Sequence, residues 1–328
     1  MDYNNELNFG TTMTRDRELS MSEAFPILMR KVYVWMSLAL AIKTGSVPRY
    51  NRGVEMIVAT YKPNDPSSPT KLYHSSGFKN AVKRVFIDNE EIPVSSLTET
   101  YQFQGDGHHI VKYIIPEAQS FYYDKCFSGC TEIENLRMPK KIMITGGAIN
   151  QTGNGNGTLK IYGNLAQHVN SRNEFYYKHI IVYGWASTYY SISTKPCVET
   201  IRISKQLWLD DTGAGVNYCY GPASSLKFLE VGGDISSTSG SRKIFMGTGA
   251  THYADGIIIH LYRENAIAAD ANVCCASHSR IGKFYVGDGS SEEHDRAILQ
   301  MYLDDSTWQP YANKLDLWYN YHGEYRQE

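Results

Sequence analysis

The sequence predicts a mainly β fold wound as a solenoid with terminal additions, and three observations carry that prediction. The first is an internal repeat. Tyr220 to Ile235 (YGPASSLKFLEVGGDI) sets a small residue at Ala223, apolar residues at Leu226, Leu229 and Val231, a turn pair at Gly232-Gly233, and Ile235. Phe127 to Ile142 (FSGCTEIENLRMPKKI) matches it with Cys130, Ile133, Leu136, Met138, Pro139 and Ile142. The second is recurrence of the one-four-six apolar spacing at Val198/Ile201/Ile203 and Ile281/Phe284/Val286, and more weakly at Asn156/Leu159/Ile161, Tyr177/Ile180/Val182 and Ala254/Ile257/Ile259. The third is geometric. The last two residues of each triplet are two apart, so they face one side of a short strand. One coil cannot bury that side alone, and neighbouring coils must stack.

Successive first positions, at 133, 156, 177, 198, 226, 254 and 281, are 23, 21, 21, 28, 28 and 27 residues apart. All lie in the window of roughly 20–29 residues of a leucine-rich repeat. A small residue, two polar residues and an apolar anchor, as in FSGCTEI and YGPASSL, resemble the BspA-like leucine-rich repeat of bacterial surface proteins and of the phages that infect such bacteria. The resemblance is clearest at 120–142 and 217–235. Copies between 150 and 190 are degraded around a Gly/Asn-rich insertion, Thr152 to Thr158. Val82 to Ile115 is similar to the lead-in of that family. The resemblance covers about two-thirds of the chain and implies a leucine-rich-repeat solenoid over 116–289, a scaffold for contact with no fixed catalytic residues.

Composition supports this class. The chain of 328 residues can hold a sizeable core, and its formal charge of −2 argues against nucleic acid or an anionic membrane as partner. The 25 tyrosines and five tryptophans suit twisted β-structure and contact surfaces alike. Cys126, Cys130, Cys197, Cys219, Cys274 and Cys275 contain no CxxC pair or metal-finger spacing, so Cys130, at the small buried position of the repeat, is expected to be a core thiol, and Cys274-Cys275 a packed pair.

In chain order, 1–50 is expected to form a polar arm and then a helix. Ser20 to Glu23 fits a capping box, with Pro26 opening the secure part of the helix. Phe25, Leu28, Val32, Trp35, Ala39 and Ile42 then make a heptad-like oligomerisation seam. Two readings compete for Val32 to Ile42: a signal-like segment, were translation to begin at Met29, and a membrane contact, for which the run is short. Gly45 to Gly53 is a linker. A small β-unit over 51–115 follows, with strands at Val54 to Tyr61, Val82 to Ile87, Tyr101 to Phe103 and Ile110 to Ile115, the last two joined as a hairpin through Gly105-Asp106-Gly107. This unit is expected to cover the first coil. Over 290–328 a capping box at Ser290 to Glu293 opens an amphipathic helix carrying Ile298, Met301 and Tyr302, and the aromatic run from Trp308 to Tyr321 is expected to cap the last coil.

Candidate chemistry is sparse. Asp210-Asp211, Asp304-Asp305 and Glu292-Glu293-His294-Asp295 are the densest acidic groups. Adjacent strand residues point apart, and carboxylates in a first helical turn answer the helix dipole, so no catalytic pair is expected. His108-His109 should likewise diverge, and neither a metal nor a cofactor is expected. The remaining candidates are aromatic: Tyr183, Trp185, Tyr189, Tyr190, Trp208 and Tyr218 either stand outward for stacking on sugar or protein, or form a buried ladder. The expected function is non-enzymatic, structural and adhesive: a phage virion component, a fibre or decoration protein, with virion proteins and a host-surface glycan or protein as partners, homo-oligomeric through the N-terminal helix. A bacterial cell-surface or secreted adhesin is the alternative, and a carbohydrate-active enzyme the third reading.

Overall fold

The computed structural model describes residues 54–116, 120–121, 126–141, 143–144, 148–165, 174–187, 193–194, 197–209, 225–237, 244 and 255–326. The chain divides into two units, Met1–Arg52 and Gly53–Glu328, and every described residue belongs to the second. The heptad-like helix and its seam from Phe25 to Ile42 lie outside the described residues, as do Tyr189, Tyr190, Tyr218 and Asp210-Asp211. No helix among the described residues is long and apolar enough to cross a membrane.

The described part is mainly β. Its first portion holds β1 (Val54–Tyr61), β2 (Thr70–Lys71), helix α1 (Ser76–Ala81), β3 (Arg84–Ile87), β4 (Glu90–Ile92), β5 (Thr100–Tyr101) and β6 (His109–Pro116). The winding portion holds β7 (Ser120–Phe121), β8 (Ile133–Met138), β9 (Met143–Ile144), β10 (Thr158–Ile161), β11 (Glu174–Phe175), β12 (His179–Val182), β13 (Ala186–Ser187), β14 (Ser193–Thr194), β15 (Thr200–Ile203), β16 (Leu207–Leu209), β17 (Phe228–Val231), β18 (Ile235–Ser237), β19 (Ile257–Leu261) and β20 (Ile281–Val286). Helix α2 (Glu292–Asp304) and β21 (Leu315–Leu317) close it. One 12-stranded sheet runs β21-β20-β19-β17-β15-β12-β10-β8-β1-β6-β3-β4, parallel from β21 to β8 and antiparallel from β8 onward. On other faces of the coils, β13-β16-β18 and β11-β14 pair in parallel. The result is a β-solenoid whose main sheet continues into an antiparallel unit.

Register explains why the coils stack. Leu136, Leu159, Ile180, Ile201, Leu229, Ile259, Phe284 and Leu315 are aligned strand to strand, and so are Met138, Ile161, Val182, Ile203, Val231, Leu261, Val286 and Leu317. All are buried. Each large apolar side chain withdrawn from water contributes about 1.5–3 kcal/mol, and it does so only because the next coil covers it. The trailing apolar residue of the repeat has its own place: Leu207 and Ile235 face each other in β16-β18.

Several sequence expectations need correction. The copy anchored at Ala254 is displaced by two residues, since Ile259 and Leu261, not Ile257 and Ile259, occupy the inner positions. Thr152 to Thr158 is no insertion. It is a coil corner bonded to both neighbours: the amides of Gly153 and Asn154 donate to Cys130 and Ile133, and that of Gly155 donates to Tyr176. Tyr101 and Ile110 do not belong to one hairpin, because β5 pairs with β2 while β6 lies between β1 and β3. The hairpin of this region is β3-β4, turned by Asp88 and Asn89 with φ of 49° and 71°. Positive φ at both central residues is what a tight two-residue turn requires. The cap of α2 is Ser291, whose Oγ accepts from the His294 amide at 3.1 Å, rather than Ser290. Ile298 and Tyr302 are buried by α2, whereas Met301 is exposed.

The antiparallel unit is joined to the first coil by rings. Phe78 of α1 packs edge-on against Tyr113 at 5.2 Å and against Phe127 of the coil at 5.0 Å. Tyr61 donates to the Leu72 carbonyl at 2.6 Å, so its buried hydroxyl is satisfied. At the other end Trp308 is buried edge-on against Phe284 and Tyr302.

Gly157 tests the stacking directly, because a Cβ there would sit 1.8 Å from the Glu134 carbonyl oxygen of the preceding coil. We expect Gly157→Ala to lower stability by about 1–3 kcal/mol in thermal or urea unfolding, since overpacking moves backbone. Gly107→Ala, where nothing lies within 4 Å, should leave the midpoint unchanged.

Candidate functional site

Side chains alternate along a strand, so the residues between the two inner columns form an outward row on the main sheet. By register this row runs Lys112, Val58, Arg137, Lys160 and Ile181, then Arg202, Glu230, His260 and Tyr285. In the middle coils the residue after the inner pair gives a second row: Tyr162, Tyr183, Ser204, Gly232 and Tyr262. The two halves of this face have different fates.

Beyond β15 the chain's own C-terminal tail covers the face. Trp318 is only 6 % exposed and stacks on His260 with centroids 3.8 Å apart. Tyr321 stacks on Trp318 at 4.6 Å, and Tyr325 stacks on Phe228 at 4.7 Å. Beneath them lies a buried polar network. Arg202 Nη1 donates to Glu230 Oε2 at 2.7 Å, and its Nη2 donates to the Tyr325 carbonyl. His260 Nδ1 is 3.1 Å from the same carboxylate oxygen, and Nε2 is 2.7 Å from the Gly287 carbonyl. The Arg202 guanidinium also lies over the Phe228 ring. Burial raises the Glu230 carboxyl, but the His260 hydrogen bond and the Arg202 charge outweigh it and hold it below the ordinary Glu range.

Before β15 the described part of the tail does not reach the face. Tyr162 and Tyr183 stack at 4.7 Å and 11°, and the Arg137 guanidinium covers the other side of Tyr162 at 4.6 Å. Tyr183 is 39 % exposed. Burial first, then the neighbouring Tyr162, pushes its phenol up from the ordinary value. Tyr262 reaches back across Gly232, where a Cβ would meet its ring at 2.3 Å, and donates to the Ser204 carbonyl at 3.4 Å. Ser204 therefore lies in the row between Tyr183 and Gly232, with the Tyr262 hydroxyl reaching its carbonyl.

The aromatic candidates from sequence do not form one cluster. Tyr183 belongs to the outward row of the main sheet. Trp208, 40 % exposed, stands on β16 of the three-stranded sheet. Trp185 is half-buried between β12 and β13, its amide donating to Asn164 Oδ1 at 3.1 Å. Tyr177 is fully buried. Arg137 and Tyr162 were not among the candidates, although Tyr162 and Tyr183 hold equivalent positions directly after Ile161 and Val182.

The acidic groups have structural partners. Asp295 is buried, accepting from the Tyr319 amide at 2.7 Å and from the Gly289 amide at 3.1 Å, which ties α2 to the tail. Glu292 pairs with Arg296, Gln300 donates to Asp304, and Asp305 accepts from Thr307. Asp288, His294 and Asp295 are close enough together to hold a metal ion, yet the His294–Asp288 contact is 3.8 Å and both Asp295 oxygens already accept from backbone amides. His108 and His109 diverge, the first to Glu134 and the second to Asp88 and the Phe103 ring. Burial pushes the Cys130 thiol up to about 12, which leaves it a packing group.

No family model, curated protein or solved structure matches the chain.

The Glu230 network gives a pH prediction. A carboxyl whose folded pKa is depressed contributes stability that is present above the unfolded value of about 4.3 and is lost as pH falls through the folded value. Acidification below about pH 4 should therefore loosen the tail, seen as a change in Trp318 emission. Glu230→Gln should weaken the tail at neutral pH and diminish that acid step. An acid step identical in both chains would contradict the assignment.

Proposed function

We propose that the chain is a non-enzymatic contact module, a BspA-like leucine-rich-repeat solenoid that is held on a larger assembly and offers the open half of its outer face to a host-surface glycan or protein. The observation that carries this reading is the division of one continuous face. Its far half is sealed by Trp318, Tyr321 and Tyr325, while Arg137, Tyr162 and Tyr183 stand in a pre-stacked column on the near half. A ring already packed against a neighbour loses little freedom when a ligand covers it, which favours contact on such a surface. The repeat spacing and the aligned inner columns support the leucine-rich-repeat reading, with α2, Trp308 and β21 as the closing cap. Within it, Phe25, Leu28, Val32, Trp35, Ala39 and Ile42 are the proposed oligomerisation and attachment seam, and a virion is the proposed location.

Binding of the full chain to arrayed surface glycans tests the contact reading. Tyr183→Ala should weaken the strongest interaction about tenfold, equivalent to about 1.4 kcal/mol, with folding unchanged. Trp208→Ala, on the other sheet, should leave it intact. The opposite pattern would place the contact surface elsewhere. For the seam, light scattering should give an oligomer for the full chain and a monomer for a chain beginning at Asn51; equal states for both would remove the attachment role.

A further inference from the structure

The row continues past Lys112 through Phe86 to Glu91, which Arg84 pairs, and the remaining charges on the open half of the row are positive, although the whole chain carries a formal charge of −2. Arg137 and Lys160 occupy paired register positions on β8 and β10, so their backbones are about 4.8 Å apart. Neither makes an ion pair among the described residues. Arg137 lies on the Tyr162 ring, which leaves the edge of its guanidinium available, and Arg is always charged. Lys112, two positions along the row from Arg137, donates to Asn89, a neutral partner. The flanking acids are occupied: Glu134 by His108, and Glu199 by Lys178 at 3.4 Å and Lys227 at 3.5 Å.

The covered half supplies the contrast. There the next cation of the same row, Arg202, is neutralised by Glu230 in the adjacent strand. Among the described residues no carboxylate takes that place for Arg137 or Lys160, whose row neighbours are Val58 and Ile181. That place is left to solvent or to the carboxylate of a partner.

We propose that the open half binds an acidic polysaccharide, its sugar carboxylates meeting Arg137 and Lys160 while one sugar ring of the same chain stacks on Tyr183 above Ser204. The inference rests on the contact reading given above and names the chemical class of the ligand. A planar guanidinium matches a carboxylate with two parallel hydrogen bonds, and an aromatic face accepts the apolar side of a sugar ring. Single-stranded nucleic acid fits less well. It needs successive free ring faces, and both faces of Tyr162 are already taken, by Tyr183 and Arg137.

The test is retention of the full chain on immobilised polyuronate, with neutral dextran and oligothymidylate as comparisons, at low and high salt. The expected result is binding to polyuronate that weakens with salt and does not extend to dextran. Arg137→Ala and Lys160→Ala should each weaken it about tenfold, while Lys160→Arg should stay within about twofold of the parent. Unchanged melting temperatures would show that the variants fold. Polyuronate binding unaffected by Arg137→Ala and Lys160→Ala would overturn the proposal, and so would oligothymidylate binding of equal strength or no binding to polyuronate. Dextran binding that is lost in Tyr183→Ala but kept in Arg137→Ala would overturn the acidic ligand while leaving the contact surface standing.

Discussion

The structure depends on a single constraint, that the paired inner residues of each strand can leave water only by lying against the same pair in the next coil. Leu229 and Val231, for example, are covered by Ile201 and Ile203 on one side and by Ile259 and Leu261 on the other. A strand of four residues has too little surface to be stable alone, and stacking turns many such strands into one core. Both ends of the stack then need partners. At the start β1 pairs antiparallel with β8, and at the finish β21 continues the parallel ladder after α2.

Satisfying the inside leaves the outside free to vary, and the outer rows show it. The same register that aligns Leu and Ile inward brings Arg202, Glu230 and His260 together outward. Three ionisable groups in that setting are tolerable only when they answer one another and are sealed from competition. The tail does the sealing, with Trp318 on His260 and the Tyr325 carbonyl on Arg202. In the three preceding coils the outward residues include Arg137, Lys160, Tyr162 and Tyr183, which the described tail does not cover, and that difference is the basis for assigning contact to the near half.

Much of this was legible in the residues. The one-four-six spacing located the inner pairs of β8, β10, β12, β15, β17 and β20, because burial demands a period of two at each strand. It slipped at β19, where Ile257, Ile258 and Ile259 are all apolar and a shift of two keeps the same face inward. There the ladder to β20 also carries an irregularity between Ile257 and Ile258. At α2 two adjacent serines compete, and only Ser290 has an acidic residue three positions on, yet Ser291 is the cap. The route of the tail was hidden for a different reason. Nothing local in Trp318 to Tyr325 distinguishes a ring that caps the end of a solenoid from one that lies along its side. The Tyr162–Tyr183 column could have been found, since both tyrosines directly follow an inner pair. Trp208, equally aromatic, follows Leu207 on a different sheet.

The most direct test of the account is hydroxyl-radical footprinting of the full chain, because it reports the exposure of individual aromatic side chains. In the free protein Tyr183 should react readily and Trp318 should be protected. On addition of polyuronate Tyr183 should become protected while Trp208 keeps its reactivity. A reactive Trp318 in the free protein would contradict the sealed half of the face, and protection of Trp208 with Tyr183 unchanged would contradict the open half as the contact surface.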